Sequence, residues 1–358
     1  MRIAVLYDFL EVIGGGERVA LFLGEHLRAP VFTTNFDPAL PARAGFAGVE
    51  VRSLGAVPRQ SPLRHIGATV RFMRAQLTAF DRIVCVGNFS VYTAANHPAH
   101  LWYCLTPTRL FFDQRAAMLR RLPMVSRAAA AAWSRLHGRW EQRAVRQVKR
   151  ILALSETSRA RIRRYYGRDV PVLYPPVPTS RYRFREVGDF WLSANRLYPE
   201  KRIELQLETF RRLPSERLVI VGGASADAVH RSYVRSLQPP PNVEFLNEVP
   251  DDRLVDLFAR CRGLVATAVD EDFGLTPVEA MAAGKCVLAT NEGGYRETIV
   301  DGETGFLLPP RADAFADRIR SLDDTTLRAM RPRCESRAKE FDESVFLARI
   351  KEEIGWRN

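Results

Sequence analysis

The sequence predicts an α/β protein of two domains, each built on a doubly wound parallel sheet. Its 358 residues exceed one ordinary core and suit two domains of roughly 150–180 residues. Short apolar runs alternate with helical stretches twice along the chain, which is typical of parallel sheets. The two series are separated by VPVLYPPVP (170–178), where four prolines in nine residues predict a stiff link between domains.

The first series begins with an apolar strand at residues 3–6. A glycine loop follows at Gly14, Gly15 and Gly16, and a helical pattern runs from Glu17 to Leu27. Later strand-like runs cover residues 82–88, 100–105 and 150–155, and a long helical stretch lies near 115–149. We predict a first domain at residues 1–178.

The second series begins with a strand at residues 189–196. Further strands are predicted at 217–223, 242–249, 263–269 and 285–291, and helices at 200–213, 251–260, 276–283 and 325–357. The second domain is placed at residues 179–335, and a C-terminal helix, 336–358, is expected to pack toward the first domain. Two such domains on a proline hinge predict a ligand site in the cleft between them.

Composition narrows the class of protein. No stretch contains the roughly 20 apolar residues of a membrane span, and Asp8 and Glu11 interrupt any signal-peptide core, so we expect a cytoplasmic protein. The five cysteines (85, 104, 261, 286 and 334) have no paired spacing and are predicted to be reduced, mostly buried thiols. A net charge of +12 suits nucleic acid, anionic lipid or phosphorylated small molecules as partners.

The most distinctive stretch follows the strand at 263–269, where an acidic turn and a glycine precede a new helix. The backbone N–H groups of Gly274 and Leu275 would face a ligand there, and the helix dipole favours an anion. Glu271 and Glu279 lie eight positions apart on either side of the turn. Because carboxylates only accept hydrogen bonds, the pair suits hydroxyl-rich ligands such as a sugar ring and a ribose diol.

Two structural alternatives remain open for this stretch. Thr276, Pro277 and Glu279 form a capping box at the start of the helix, which would explain Glu279 without any ligand. Asp270 and Asp272 have the spacing of a metal-binding acid pair. Neither alternative explains Glu271.

Two further elements suit a diphosphate. Arg196 ends a predicted strand and Lys201 begins the next helix, so a guanidinium and an ammonium group lie at one strand edge. The glycine loop at 14–16 lets the backbone approach a phosphate. Each element alone is weak evidence, because single cations are common on surfaces and the loop is not G-x-G-x-x-G.

With these elements, nearly the whole chain resembles the retaining glycosyltransferases of family 4, which have the GT-B fold of two Rossmann-like, doubly wound domains facing across a cleft. The matching motifs are the E-x₇-E pair Glu271 and Glu279, GGGER (14–18), Arg196 with Lys201, SETSRARIRRYYG…VLYPPV (155–177) and GGYRETIVDGETGFL (293–307). EDFGLTPVEAMAAGK and NRLYPEKRIELQLETF look most like bacterial and archaeal mannosyltransferases that build surface polysaccharides.

The resemblance implies a role for each matching residue. Arg196 and Lys201 would stabilise the departing nucleotide diphosphate, and Glu271 would bind the donor sugar. The implied donor-binding residues are Gly15, Gly16, Phe273, Gly274, Leu275, Thr276 and Glu279. The resemblance also implies GDP-mannose as donor, a glycan or lipid-linked glycan as acceptor, and no metal or separate cofactor.

One position departs from the family. Relatives commonly carry histidine before a Thr-Pro pair in the first domain, whereas this chain has Leu105, which cannot hydrogen-bond a sugar hydroxyl or relay a proton. The acceptor side is assigned to Thr106, Arg109 and Asp113. The departure keeps two alternatives open: a non-catalytic nucleotide-sugar-binding partner of a glycosyltransferase complex, and a nucleotide-sugar epimerase on the same fold.

The first domain also has a basic character. Residues 51–80 hold five arginines and no acid, and residues 115–150 hold nine arginines and Lys149 against Glu141 alone. Runs of charge such as these are often solvated helix faces. The tryptophans interleaved with the arginines favour contact with an anionic membrane surface, here the inner face of the cell membrane. The predicted membrane-facing residues are Arg64, Arg71, Arg74, Trp133, Arg135, Arg139 and Trp140. No nucleic-acid-binding motif is present.

Overall fold

A computed structural model describes residues 1–97, 100–223 and 228–356 of the chain, without the side chains of residues 121 and 228–230. The chain forms two compact units. The first comprises Met1–Pro175 with Phe346–Asn358, and the second comprises Pro176–Val345. The division falls inside the proline-rich segment, slightly before the expected boundary at 178, and the second unit continues to Val345 instead of 335.

The first unit contains six parallel strands in the order β3-β2-β1-β4-β5-β6. The strands are β1 (Ile3–Leu6), β2 (Val31–Thr33), β3 (Val51–Ser53), β4 (Arg82–Cys85), β5 (Leu101–Cys104) and β6 (Arg150–Ala153). The helices are α1 (Gly15–His26), α2 (Leu40–Arg43), α3 (Leu63–Met73), α4 (Arg115–Arg121), α5 (Met124–Arg146) and α6 (Glu156–Tyr166). The strand order reverses between β1 and β4, so the carboxyl ends of these strands flank the usual ligand position of such sheets.

Two predictions for the first unit need correction. The long helical stretch near 115–149 is two helices, because Pro123 breaks the hydrogen-bond ladder and Leu122 before it is extended. The helix α1 begins at Gly15, two residues before the predicted start at Glu17. β2 and β3 are only three residues long, too short to show an alternating pattern in the sequence.

The second unit contains six parallel strands in the order β12-β11-β10-β7-β8-β9. The strands are β7 (Phe190–Ala194), β8 (Arg217–Val221), β9 (Val243–Asn247), β10 (Gly263–Ala266), β11 (Cys286–Thr290) and β12 (Gly305–Leu308). The helices are α7 (Ile203–Arg211), α8 (Ala228–Ser236), α9 (Asp251–Arg260), α10 (Leu275–Ala282), α11 (Tyr295–Thr298), α12 (Ala312–Arg320) and α13 (Asp324–Lys339). The last helix, α14 (Glu343–Glu353), begins in this unit and belongs to the first unit from Phe346 onward. The order reverses between β10 and β7, which pair directly at Leu264 and Leu192.

The end of the chain belongs to the first unit. Phe346 of α14 packs edge-on against Tyr103 of β5, with ring centroids 5.2 Å apart. The Arg150 guanidinium donates to both carboxylate oxygens of Glu353, at 2.7 and 2.9 Å. The part of the expected helical segment 325–357 that belongs to the first unit therefore begins at Phe346. The earlier part of that segment forms α13 and lies in the second unit.

The cysteines and helices agree with the composition. All five cysteines are buried and free, which confirms the predicted thiols. Among the helices described in the structure, none combines the length and apolar character needed to cross a bilayer.

A buried carboxylate joins three elements of the first unit. Glu141 of α5 is fully buried and accepts hydrogen bonds from the Thr108 backbone N–H at 3.3 Å and from the Tyr166 hydroxyl of α6. Burial raises the pKa of Glu141 from 4.5 to about 7. Between these values the native state keeps a proton that the unfolded chain releases, so stability falls as the pH rises through this window.

Glu141→Gln removes this titration and tests it. We expect the free energy of unfolding of the variant, relative to wild type, to rise by about 1–3 kcal/mol between about pH 5 and pH 8. Denaturant unfolding at both pH values measures the difference, with Glu25→Gln at a surface position as the control. A variant whose pH profile runs parallel to that of wild type would contradict the protonated state of Glu141.

Candidate functional site

The loop after β10 begins the candidate site. Asp270 adopts a left-handed conformation with φ of 47°, and Gly274 does the same with φ of 93°. Helix α10 then begins at Leu275, with Gly274 as its N-cap and no side-chain hydrogen bond at that cap. The N–H groups of Leu275 and Thr276 therefore belong to the first turn, where a helix leaves its donors unpaired within the helix and favours an anion.

The capping-box interpretation is therefore wrong. The left-handed Gly274 starts the helix two residues earlier than that interpretation required, so Thr276 is the second helical residue and Pro277 the third. Glu279 consequently lies in the second turn, beyond the N3 position from which a glutamate can close a capping box.

A salt bridge connects this loop to the end of β7. The Lys201 ammonium contacts the Glu271 carboxylate directly, with the two side chains 26% and 23% exposed. Lys201 does not begin a helix, as the sequence predicted; it ends the 3-10 turn Pro199–Lys201, and Arg202 is left-handed before α7 begins. The two charged groups come together because β7 and β10 are neighbours at the reversal of strand order.

Buried hydrogen bonds hold the Lys201 turn. The Thr267 hydroxyl donates to the Lys201 carbonyl at 2.7 Å, and the Gln206 amide donates to the Thr267 hydroxyl at 2.8 Å. Both Thr267 and Gln206 are buried. A second salt bridge, between Arg202 and Glu292 at 2.9 Å, lies beside the first. The backbone of the turn is therefore held by the buried neutral side chains of Thr267 and Gln206. The charged side chains of Lys201 and Arg202 beside it form the two salt bridges.

Two glycines after β11 shape the loop that carries Glu271. The Gly294 N–H donates to the Glu271 carbonyl at 2.7 Å. A methyl group on Gly293 would lie 2.4 Å from that carbonyl oxygen, and one on Gly294 would lie 2.4 Å from Phe273 Cα. Neither glycine was predicted as a site residue from the sequence, although the GGYRETIV motif contains both.

Arg196 lies at the same edge of the second sheet. Arg196 follows β7, and the backbone just before it packs closely on Gly222. A methyl group on Gly222 would lie 1.8 Å from the carbonyl oxygen of Asn195, the residue before Arg196. Leu197 donates its N–H to the Gly223 carbonyl at 3.0 Å. The second unit thus brings Arg196, Lys201, Glu271 and the start of α10 to the carboxyl ends of β7 and β10.

The first unit presents a separate glycine-lined edge. Helix α1 begins at Gly15, and its N-cap Gly14 has no side-chain hydrogen bond. A methyl group on Gly16 would lie 2.4 Å from the Tyr7 hydroxyl oxygen and 2.8 Å from Leu105 Cδ1. The hydroxyl of Tyr7 therefore lies near Leu105, and the sequence analysis had not singled out this tyrosine.

A carboxylate organises the neighbouring strand ends of the first unit. Asp8, after β1, accepts hydrogen bonds from three consecutive backbone N–H groups after β4, at 2.8, 2.9 and 2.9 Å. Burial raises the pKa of Asp8 to about 6. A methyl group on Gly87 would lie 2.2 Å from its carboxylate. Asp8 therefore joins the two strands at the reversal point of the first sheet.

The residues assigned to the acceptor side interact within the first unit. The Thr106 hydroxyl accepts a hydrogen bond from Arg161 at 3.0 Å. Arg109 donates to the Asp113 carboxylate at 2.9 Å. The structure places all three assigned residues after β5.

Two of the predicted membrane-facing residues do not face solvent freely. The Trp133 ring is stacked on His65 with centroids 5.6 Å apart and packs edge-on against Phe111 at 5.5 Å, so its assignment to a membrane surface is wrong. Arg64 is paired with Glu11 and lies 3.9 Å from the Phe9 ring centroid. The exposed members of the set are Arg71, Arg74, Arg135, Arg139 and Trp140.

In the described ranges of the chain, no three His, Cys, Asp or Glu side chains are grouped as metal ligands. The Asp270 and Asp272 pair belongs to no such group.

Two family descriptions match successive parts of the chain. Residues 13–181 match "Glycosyltransferase Family 4", and residues 181–341 match "Glycosyl transferases group 1". The chain belongs to the family 4 glycosyltransferases. It carries a family 4 domain followed by a group 1 domain, and the join at residue 181 lies close to the division between the two units.

Several curated glycosyltransferases are similar to parts of this family member. Alpha-1,3/1,6-mannosyltransferase ALG2 of Dictyostelium discoideum is 32% identical over 37% of the chain and 37% of its own length. D-inositol 3-phosphate glycosyltransferase of Rhodococcus opacus is 30% identical over 51% of the chain and 47% of its own length. O-antigen chain mannosyltransferase RfbU of Salmonella typhimurium is 28% identical over 44% of the chain and 46% of its own length. The match spans less than half the length of each relative.

Solved structures resemble the whole chain in fold. Alr3699/HepE of Anabaena, crystallised with UDP and glucose, has a TM-score of 0.78 at 19% identity over 99% of both chains. WaaG, a glycosyltransferase involved in lipopolysaccharide biosynthesis, has a TM-score of 0.71 at 16% identity over 98% of this chain and 99% of its own. The predicted fold class, two Rossmann-like α/β domains of the GT-B type, is confirmed.

The corrected start of α10 makes a prediction about stability. Because the N-cap of this helix is Gly274 and Thr276 lies within its first turn, we expect Thr276→Val to change the free energy of unfolding by less than about 0.5 kcal/mol. Asp323→Ala is the matched control, since Asp323 caps α13 by accepting the Thr326 N–H at 2.7 Å, and it should cost about 1 kcal/mol. Denaturant unfolding measures both, and equal losses would restore the capping role of Thr276.

Proposed function

We propose that this glycosyltransferase moves mannose from GDP-mannose, with retention of configuration and without a metal ion, to a glycan or lipid-linked glycan acceptor in the assembly of surface polysaccharide or glycoconjugate. The observation that carries the proposal is the Lys201–Glu271 pair beside the start of α10. The choice of mannose rests on the similarity to mannosyltransferases such as ALG2 and RfbU.

The charges at this edge suit a nucleotide diphosphate leaving group. Arg196 and Lys201 supply two positive charges where negative charge develops as the glycosidic bond breaks. A donor diphosphate would replace the Glu271 carboxylate as the partner of Lys201. Glu271 would then accept hydrogen bonds from hydroxyl groups of the donor sugar. Two cations of the chain thus take the charge-neutralising role that a metal ion plays in other sites.

The remaining donor contacts are assigned mainly to the starts of α10 and α1, the two helices that have a glycine as their N-cap residue. The Phe273–Thr276 backbone would hold the donor sugar and phosphates at the start of α10, and Glu279 would accept hydrogen bonds from the ribose hydroxyls. Glu279 lies in the second turn of α10 and not at the N3 position of a capping box. Gly15 and Gly16, which open α1, would donate backbone N–H groups to phosphate oxygens.

A donor screen combined with Glu271→Gln tests the proposal. Among GDP-, UDP- and ADP-sugars at millimolar concentration, GDP-mannose should raise the melting temperature most, because binding stabilises by mass action. Glu271→Gln should reduce donor hydrolysis or transfer about 10²–10³-fold, because it loses the charge beside the reacting sugar. Glu303→Gln, at an exposed turn, is the matched control and should keep wild-type turnover.

Three outcomes would contradict parts of the proposal. Donor binding by wild type without any turnover would identify a non-catalytic binding partner. Conversion of the donor to its epimer would identify an epimerase. If dialysis against a chelator abolished turnover and a divalent cation restored it, the reaction would require a metal ion, contrary to the proposal.

We also propose that the first unit docks on the cytoplasmic face of an anionic membrane. Met124 and Val125, at the start of α5, are 80% and 93% exposed, and Trp140 of the same helix is 41% exposed. Arg135 and Arg139 of the same helix are also exposed. Apolar side chains can enter the headgroup region, and each arginine near an anionic surface adds roughly 1 kcal/mol of attraction.

Vesicle co-sedimentation tests the docking. Wild type should pellet with vesicles of phosphatidylglycerol and phosphatidylcholine at low salt and dissociate as salt is raised. Met124→Ser/Val125→Ser should reduce binding several-fold, because two inserted side chains lose their apolar contact. Val300→Ser/Val345→Ser removes two exposed valines of the second unit and should bind as wild type does. Equal pelleting of both double variants would exclude docking through α5.

A further inference from the structure

Two adjoining cavities lie in the first unit at the carboxyl ends of β2 and β3. One has a volume of about 840 Å³, and the other has a volume of about 520 Å³. Both are lined by Ala56 and Val57, so they adjoin along the segment that follows β3, and we refer to the two together as the trough. Each is within the size range of small-molecule sites.

The larger cavity is polar. Its side chains include both signs of charge and an amide: Glu11, Asn35, Asp37, Arg59 and Arg64. Glu11 pairs with Arg64, which is 24% exposed, and Asp37 accepts a hydrogen bond from Arg43 at 3.2 Å. Acceptors and donors placed together at a sheet edge suit the hydroxyl groups of a sugar.

The wall between the cavities is held in place by side-chain hydrogen bonds. The Asn35 amide donates to the Val57 carbonyl at 3.0 Å and accepts the Val57 N–H at 2.8 Å. The Ser53 hydroxyl donates to the Thr34 carbonyl at 2.9 Å and accepts the Gly55 N–H at 3.0 Å. The segment after β3 is therefore a preformed wall, which lowers the entropic cost of binding a ligand.

The smaller cavity combines an apolar wall with two cations. It is lined by Leu54, Ala56, Val57, Pro58, Val70 and Ala75 together with Arg71, Arg74 and Gln76. Arg71 lies against Gly55, whose φ is +103° and whose added methyl group would be 2.8 Å from the guanidinium carbon. The two guanidinium groups come from the last turn of α3 and from its C-cap residue, and residues 51–80 contain no acid.

Helix α3, which supplies Val70 to the smaller cavity, carries three exposed apolar side chains. Leu63, Val70 and Met73 are 59%, 39% and 39% exposed. An apolar surface beside two guanidinium groups matches a ligand that carries both a phosphate and a hydrocarbon chain. A free inorganic phosphate would use the cations but not the apolar wall.

We propose that this trough binds a phosphorylated amphiphile with an attached sugar. The hydrocarbon chain lies along Val70, the phosphate is bound by Arg71 and Arg74, and the sugar occupies the polar cavity beside Glu11 and Arg64. The interpretation of this ligand as the acceptor of sugar transfer rests on the proposed function, whereas binding itself does not require turnover.

Binding of farnesyl phosphate to the full chain, at concentrations below micelle formation, tests the trough. Titration calorimetry should show binding of farnesyl phosphate and much weaker binding of farnesol and of inorganic phosphate. Arg71→Gln/Arg74→Gln should raise the dissociation constant about tenfold or more, because both charge-assisted contacts are lost. Val70→Ser, which removes an apolar side chain of the wall without adding charge, should weaken binding as well.

A charge-matched variant controls for the loss of two positive charges. Arg163 and Arg164 are exposed on α6 and line neither cavity, so Arg163→Gln/Arg164→Gln should bind farnesyl phosphate as wild type does. Melting temperatures near wild type confirm that the variants are folded.

Three results would overturn the proposal: unchanged binding by Arg71→Gln/Arg74→Gln, farnesol binding as tightly as farnesyl phosphate, or inorganic phosphate competing at equal concentration. Donor hydrolysis by the wild-type chain is measured separately. Its absence would remove the proposed transfer reaction and leave the binding result as it stands.

Discussion

The packing of the Gly293–Gly294 backbone against the loop that carries Glu271 is the constraint on which the candidate site depends. A side chain on either glycine would lie 2.4 Å from backbone atoms of that loop, so no rotamer change could relieve the overlap. The same packing pairs the Glu271 carbonyl with the Gly294 N–H. With its backbone held in this way, Glu271 presents its carboxylate to Lys201 and not to open solvent.

The charges of the second unit follow from this arrangement. Two salt bridges, Lys201–Glu271 and Arg202–Glu292, connect the turn after β7 to the loops after β10 and β11. The neutral Thr267 and Gln206 fix the backbone beneath them, so the cations stay in place when their partners change. Such a preorganised pair suits a ligand that brings its own negative charge and its own hydroxyl groups.

The first unit has the same strand order but a different distribution of charge. Asp8 and Glu141 are buried where they organise strand ends and helices, and burial raises the pKa of both carboxyls. The basic residues lie outward on α3 and α5, where they accompany exposed apolar side chains. The two helices therefore present separate surfaces, the trough beside α3 and the exposed face of α5.

The sequence by itself determined the fold class, the positions of most strands along the chain and the segments that meet at the second sheet edge. Strands buried on both faces form continuous apolar runs, which are visible without a structure. The tertiary structure alone decided the start of α10, because the left-handed Gly274 overrides a local capping pattern. It also decided that Trp133 packs inward while Trp140 is exposed, although both lie on α5. Burial of a side chain depends on neighbours distant in sequence, and here that neighbour is His65 of α3.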